Sequence, residues 1–294
     1  MNQTATVSVL STSDEERYSR QISIWGVETQ KMLANAKVLV LGAGGLGCPT
    51  LYYLAAAGVG HITVADFDVV SISNLNRQIL HSEARLGMNK ARSAKETLTA
   101  FNSSIEITAL DQHMEPDELV SAALAADLLI DVTDSMPTKE QLTRILHGRN
   151  TKVIYGVLLG MAGFAFLELP GSLCWRCLFK DAPLFSTGHA LPFAYYPSFG
   201  ASAGMLGSFV ADMAVRVLIG EDAVLRKRIF FTSQRMQAHR LSLAVRGLRS
   251  ILTDHFKAAL DAKGWRFLDS PEVFNTQEID SNPHCPQCGL AGPH

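Results

Sequence analysis

Five short apolar runs limit how this chain can fold: KVLVLG (37–42), HITVADFD (61–68), IEITALD (105–111), DLLIDVTD (127–134) and TKVIYGVLL (151–159). Between them lie stretches of helical character at 46–57, 90–102, 116–125 and 136–148. Strands that alternate with helices of this length form βαβ units, so the sequence predicts an α/β fold with a mainly parallel sheet and helices on both faces. After Gly160 the pattern changes. AGFAFLELPG (162–171), RKRIFFTS (226–233) and QAHRLSLAV (237–245) read as antiparallel strands that extend the sheet. Ahead of the first strand, 13–26 opens as a helix with Ser13 and Glu16 in capping-box spacing, followed by a second helix at 27–36. Arg17 and Arg20 are three apart and are expected to share a face.

Composition excludes several classes of function. With 294 residues, 47% of them hydrophobic, and a net charge of −2, the chain can bury a large core. It lacks the basic excess of a nucleic-acid binder. Its first residues, MNQTATVSVLSTSDEE, lack the basic and apolar regions of a signal peptide. The most apolar helical stretch, 204–220, is too short to span a bilayer and contains Asp212 and Arg216, so it reads as a buried helix. A cytoplasmic location with no membrane partner is the expectation.

The first strand runs straight into GAGGLG (42–47). A glycine-rich turn between a strand and a helix presents backbone N–H groups and a helix N-terminus to a phosphate. Gly42 allows the tight turn, Gly44 and Gly45 let the backbone approach the ligand, and Gly47 lets helix and strand come close. Asp66 ends the second strand, where a carboxylate can accept from ribose hydroxyls, and Asp68 follows it. These features suit NAD as well as ATP. The stretch from 66 to 90 separates the two. Asn74, Arg77 and Lys90 all follow the ribose-binding strand closely, offering an amide, a planar guanidinium fork and a compact ammonium. A dinucleotide needs little of this cationic character, whereas a triphosphate does. Asp131 and Asp134 lie at the carboxyl end of the fourth strand, the edge that lines the ligand crevice in an open parallel sheet. A carboxylate there suits Mg²⁺, which takes one or two protein ligands together with phosphate oxygens. Asp131 could equally cap the next helix.

Four of the five cysteines form two C-x-x-C pairs, Cys174/Cys177 and Cys285/Cys288. Two such pairs would make a tetrahedral four-thiolate Zn²⁺ site with no open position, hence a structural one. The fifth, Cys48, sits behind the glycine turn and reads as a small packed residue.

Taken together, RYSRQI (17–22), GAGGLGC (42–48), AAAGVG (55–60), ADFD (65–68), SNLNRQILH (73–81), GMNKARSA (87–94), DVTDS (131–135), CWRCLF and CPQCG resemble the MoeB/ThiF adenylyltransferases. These are bacterial relatives of ubiquitin-activating enzymes. The resemblance runs from about residue 15 through nearly the whole chain. It implies a Rossmann-like ATP-binding region (37–170) between an N-terminal helical arm (1–36) and a zinc-binding, substrate-recognising C-terminal region (171–294), in one continuous domain. The implied reaction is attack of a carboxylate on the α-phosphate of ATP·Mg²⁺, giving an acyl-adenylate and pyrophosphate. Asp66 would hold the ribose; Asn74, Arg77 and Lys90 would hold the phosphates; Asp134 would hold Mg²⁺. Arg20 matches an arginine that reaches the triphosphate from the other subunit, which implies a homodimer with shared sites.

Departures from the family pattern surround the incoming carboxylate. Ser135 replaces the usual Asn, and GMAGFA (160–165) replaces an Arg followed by Glu-Gly-Gln. The segment 179–204 carries no cysteine for a covalent adduct, and about forty residues separate the last strand from CPQC. The resemblance implies a ThiS- or MoaD-like carrier as the acceptor, and these departures open the alternative of a precursor peptide of a ribosomal natural product. An NAD-dependent oxidoreductase and a non-catalytic scaffold are the competing classes, and both leave Arg77, Lys90 and Asp134 unexplained.

Overall fold

The computed structural model describes residues 10–170, 172, 174–176, 198–225, 228–232 and 275–278. Its centre is an eight-stranded sheet in the order β3-β2-β1-β4-β5-β6-β7-β8. The strands are β1 (Lys37–Leu41), β2 (His61–Ala65), β3 (Glu106–Leu110), β4 (Leu128–Asp131), β5 (Val153–Leu159), β6 (Ala162–Glu168), β7 (Arg228–Thr232) and β8 (Asn275–Glu278). The first five pair in parallel. From β5 onward the pairing is antiparallel. The strand order reverses direction at β1, between β2 and β4, and an open α/β sheet binds its ligands at such a switch point.

Side chains alternate across the sheet with the period of two that strands impose. Val38 and Val40 enter one apolar cluster while Leu39 and Leu41 enter another on the opposite face. Helices α3 (Gly47–Ala57), α4 (Lys90–Phe101) and α7 (Gly200–Leu218) cover the first face. Helices α5 (Pro116–Ala125) and α6 (Met136–Leu146) cover the second. Each fully buried aliphatic side chain in these clusters contributes about 1.5–3 kcal/mol. Helix α7 buries Leu206, Val210, Met213, Ala214 and Val217, as its apolar sequence predicts. It starts at Gly200, four residues ahead of the expected position, because the small residues of its first turn carry no hydrophobic period.

The N-terminal arm differs in detail from the expectation. Ser11, not Ser13, caps α1 (Thr12–Arg17), in a reciprocal box with Asp14. The helix breaks at Tyr18, and α2 (Ser19–Asn35) continues through a kink at Gly26, where φ is 83°. Arg17 and Arg20 therefore do not lie on one continuous helix. Tyr18 causes the break: it is 3% exposed, its hydroxyl accepts from Asn102 Nδ2 at 2.8 Å, and its ring fills the space beside Gly58. β8 lies where the sequence predicts no strand. The expected strand 237–245, the stretch 246–264, whose sequence predicts a further helix, and Cys177, Cys285 and Cys288 lie outside the described residues.

Candidate active site

At the carboxyl end of β1 the chain turns sharply at Gly42, whose φ is 98° and whose N–H donates to Ala65 O at 2.9 Å. A Cβ on Gly47 would stand 2.0 Å from the Gly42 carbonyl oxygen, so only glycine lets α3 begin this close to the strand. Gly44 and Gly45 have room around them: the nearest atoms to an added Cβ are Gln78 Nε2 at 3.7 Å and Ala203 Cβ at 3.4 Å. The turn's other residue, Ala43, is fully buried and fixed on both sides. Its N–H donates to Asp66 Oδ2 at 2.8 Å, and its carbonyl accepts from His81 Nε2 at 2.9 Å.

Asp66 also accepts from the Asp68 N–H through Oδ1 at 2.9 Å. Each carboxylate oxygen has a second acceptor position, so a ribose hydroxyl can still donate to it. Burial raises the Asp66 pKa, against the opposing pull of the Ala43 N–H and the Lys90 charge. Lys90, at the first position of α4, is 6% exposed, and its Nζ meets Asp68 Oδ2 at 2.9 Å. The Asp68 side chain is 57% exposed, so it can turn to solvent and release the ammonium to a phosphate oxygen. Asp68 thus holds Lys90 at the site. Asn89 joins the same pieces: it caps α4 by accepting from Arg92 N at 3.1 Å and donates to Asp66 O at 2.8 Å. An Asn immediately before a helix is a recognisable cap, and that signal could have found it in the sequence.

Asn74 closes a short turn by accepting from Ser71 N at 3.2 Å. The Arg77 guanidinium is steadied by Ser73 O at 2.9 Å and Asn76 Oδ1 at 3.0 Å, both through Nη1. The Arg77 stem lies alongside Gly45, its Cδ being 3.5 Å from an added Cβ. The first turn of α7 comes to the same place, because a Cβ on Gly200 would meet Asn76 O at 2.3 Å. The glycine turn, Asp66, Asp68, Asn74, Arg77 and Lys90 therefore converge at the switch point.

The carboxyl end of β4 holds two aspartates with different fates. Asp131 is fully buried and pairs with an equally buried lysine, Lys139 of α6, at 2.9 Å. Its Oδ1 also accepts from Thr133 N at 3.0 Å and Thr133 Oγ at 2.7 Å, which folds the turn carrying Asp134. Helix α6 is capped by Ser135 through Thr138 N at 3.2 Å, so Asp131 is not its cap. Sequence reading missed Lys139, whose pKa burial pushes down against the pull of Asp131. Asp134 is exposed and has no hydrogen-bond partner among the described residues. It is the carboxylate that fits Mg²⁺, an ion that needs few protein ligands when phosphates supply the rest.

Arg20 is not assembled with these groups, and three of the four expected zinc ligands lie outside the described residues. Arg20 is exposed on α2, near the far end of α3 from the glycine turn. With 11 residues, α3 spans about 16 Å. Of the four zinc-ligand candidates only Cys174 is described: it is buried beside Trp175, whose N–H donates to Glu168 Oε2 at 3.1 Å. Among the described residues no three His, Cys, Asp or Glu side chains group as metal ligands. Cys48 is fully buried with its thiol pushed up to about 12 by desolvation, as suits a packed residue.

Comparison with known proteins shows which family the chain belongs to. The family model described as "ThiF family" matches residues 18–247. The molybdopterin-synthase adenylyltransferase of Escherichia coli K12 is 37% identical over 214 residues, covering 71% of this chain and 84% of that protein. The adenylyltransferase and sulfurtransferase MOCS3 of Culex quinquefasciatus is 34% identical over 253 residues, 83% of this chain and 56% of its own length. This chain thus spans little more than half of that relative. Among solved structures, E. coli MccB with AMPCPP and MccA shares the fold over 94% of this chain and 75% of its own, with a TM-score of 0.70 at 21% identity. On the family match and these identities, the chain belongs to the ThiF family.

Proposed function

We propose that this protein is an ATP-dependent adenylyltransferase that activates a carboxylate as an acyl-adenylate. The observation that carries the reading is the convergence of a glycine turn, a ribose-type carboxylate, Arg77 and Lys90 at one switch point in a chain of this family, supported by Asn74 on the Arg77 turn and by Asp134 just beyond the β4 turn that meets Gly42. The glycine-turn amides and the α3 N-terminus hold the nucleotide phosphates, and Asp66 accepts from the ribose. Arg77 and Lys90 stabilise the charge that builds on the α-phosphate as the acceptor oxygen bonds to phosphorus and the bond to the leaving pyrophosphate breaks. Asp134 would hold Mg²⁺, which would supply charge neutralisation for the phosphates.

The acceptor we propose is the C-terminal carboxylate of a small ubiquitin-fold carrier, supported by the named activity of the molybdopterin-synthase relative. A peptide carboxylate is the second reading. It is favoured by the unusual segment 160–165, which begins beside α7: Gly160 O accepts from Phe199 N at 3.2 Å. Two copies sharing sites is part of the same proposal, because Arg20 lies too far from its own glycine turn to serve it. The four cysteines are proposed to hold structural Zn²⁺, measurable as one equivalent of metal per chain.

The test is ATP–pyrophosphate exchange with each acceptor class supplied in turn. Asp134→Ala is expected to abolish exchange while circular dichroism stays unchanged. Undiminished exchange in that variant would remove the metal assignment, and thermal stabilisation by NAD but not by ATP·Mg²⁺ would overturn the reading altogether. A mixture of Asp134→Ala and Arg20→Glu proteins should regain activity; failure to do so would sink the shared site.

A further inference from the structure

We infer that His81 is a positioning residue for nucleotide binding, clamping the glycine turn to the first turn of α4; this rests on the ATP reading above. The ring is 7% exposed and lies between the two elements that would bracket a triphosphate. On one side Nε2 is 2.9 Å from Ala43 O. A carbonyl can only accept, so Nε2 carries the proton. On the other side Nδ1 is 2.9 Å from Ser93 Oγ, and in the neutral ring it accepts from that hydroxyl.

Both contacts matter for what they hold. Ala43 is gripped at its N–H by Asp66 and at its carbonyl by His81, and that carbonyl shares its peptide plane with the Gly44 N–H, so the bond orients the first of the phosphate-binding amides. Ser93 stands three residues after Lys90, one helical turn along the same face. The imidazole thus sets the spacing between the phosphate-binding amides and the Lys90 ammonium. Catalysis of this kind depends on donors that are already in place, and spacing errors of an ångström are costly.

The charged and titratable groups around the ring are Lys90 on α4, Arg85 on its own segment, Asp66 across Ala43 at the end of β2, and Cys48 on α3. Glu96 faces Arg85 at 3.5 Å. A second proton on His81 would turn Nδ1 from an acceptor into a donor facing Ser93 in a cationic setting. Burial, together with Lys90 and Arg85, favours the neutral ring.

The experiment is calorimetric binding of ATP·Mg²⁺ to the full chain, with exchange rates measured in parallel. His81→Gln, whose amide N–H reaches the Nε2 position, should bind within about threefold of the unsubstituted protein. His81→Asn reaches only the Nδ1 position, and His81→Phe fills the space with no polar atom. Both should weaken ATP by about tenfold or more, with a smaller effect on the rate at saturating ATP. Ser93→Ala, which leaves the core intact, should weaken ATP by about threefold. Equal affinity in the Asn and Gln variants, or unchanged affinity in Ser93→Ala, would overturn the clamp even if His81→Phe fails to fold. Absence of ATP binding by the unsubstituted protein would instead bring down the adenylation reading, and this inference with it.

Discussion

Replacing Lys139 with methionine isolates the most buried charge pair described. The substitution keeps the volume and apolar stem but removes the ammonium, and with it bonds of 2.9 Å to Asp131 Oδ1 and 3.2 Å to Asp131 O. Asp131 would keep its two bonds from Thr133, but its Oδ2 already has no hydrogen-bond partner, so a fully buried carboxylate would be left without a countercharge. Breaking a buried pair in this way costs about 3–5 kcal/mol, a large share of the roughly 5–15 kcal/mol that stabilises a typical domain. Removing both charges behaves differently. In Asp131→Leu/Lys139→Met the desolvation cost disappears, and what remains is the loss of two Thr133 bonds at about 0.5–1.5 kcal/mol each. The single variant should therefore be less stable than the double. Urea denaturation reads this directly: with a slope near 2–3 kcal/mol/M, the single variant's midpoint falls by about 1–2 M. A single variant within about 1 kcal/mol of the unsubstituted protein, or a double no more stable than the single, would refute the account of Asp131 as a carboxylate that needs its lysine.

The glycine turn gives a contrast between neighbours. Gly47→Ala should prevent folding or lower the melting temperature sharply, because its Cβ would overlap the Gly42 carbonyl at 2.0 Å. Gly45→Ala makes only ordinary contacts of 3.4–3.5 Å and should fold normally, yet weaken ATP in a calorimetric titration by crowding the open side of the turn. Cys48, buried and pushed up to about 12, should resist iodoacetamide at pH 7.5 until the protein is unfolded; an adduct in the native state by mass spectrometry would contradict its burial. His81 titrates below its ordinary 6.5 in the fold because burial, Lys90 and Arg85 disfavour its charge. Its contribution to stability is present above that value and lost as pH falls through the lower native value, so the acid limb of a pH–stability curve should flatten in His81→Gln.

The sheet was legible because parallel strands are buried on both faces and read as Val, Ile and Leu runs. The glycine turn, Asp66 and the Asn74–Arg77–Lys90 series were legible because each sits at a fixed offset from a strand end. The cap of α1 was not, since Ser11/Asp14 and Ser13/Glu16 have the same spacing. Burial of Tyr18 against Asn102 fixes where that helix ends, and this contact lies far away in sequence. Lys139 was missed because a lysine on an amphipathic helix reads as a solvated charge. Only the third dimension brings it under Asp131. His81 was hidden for a related reason: one of its partners is 38 residues away and the other 12.

The two halves of the sheet also differ in how they can be assembled. β5 and β6 are joined across Gly160, whose φ of 67° suits the tight connection between antiparallel neighbours, and they pair from Val153↔Glu168 to Leu159↔Ala162. Such a hairpin closes a very short loop, on a timescale of about 1–10 μs. β1, by contrast, meets β4 only after some ninety intervening residues have been gathered, as the register Val38↔Leu128 requires. Loop closure over that distance comes late and slowly. The hairpin next to the candidate acceptor segment is thus built from local contacts, while the crevice at β1 and β4 closes only where distant parts of the chain meet. Nucleotide binding therefore depends on the most non-local pairing of the parallel half of the sheet, and the candidate acceptor segment on the most local pairing of the antiparallel half.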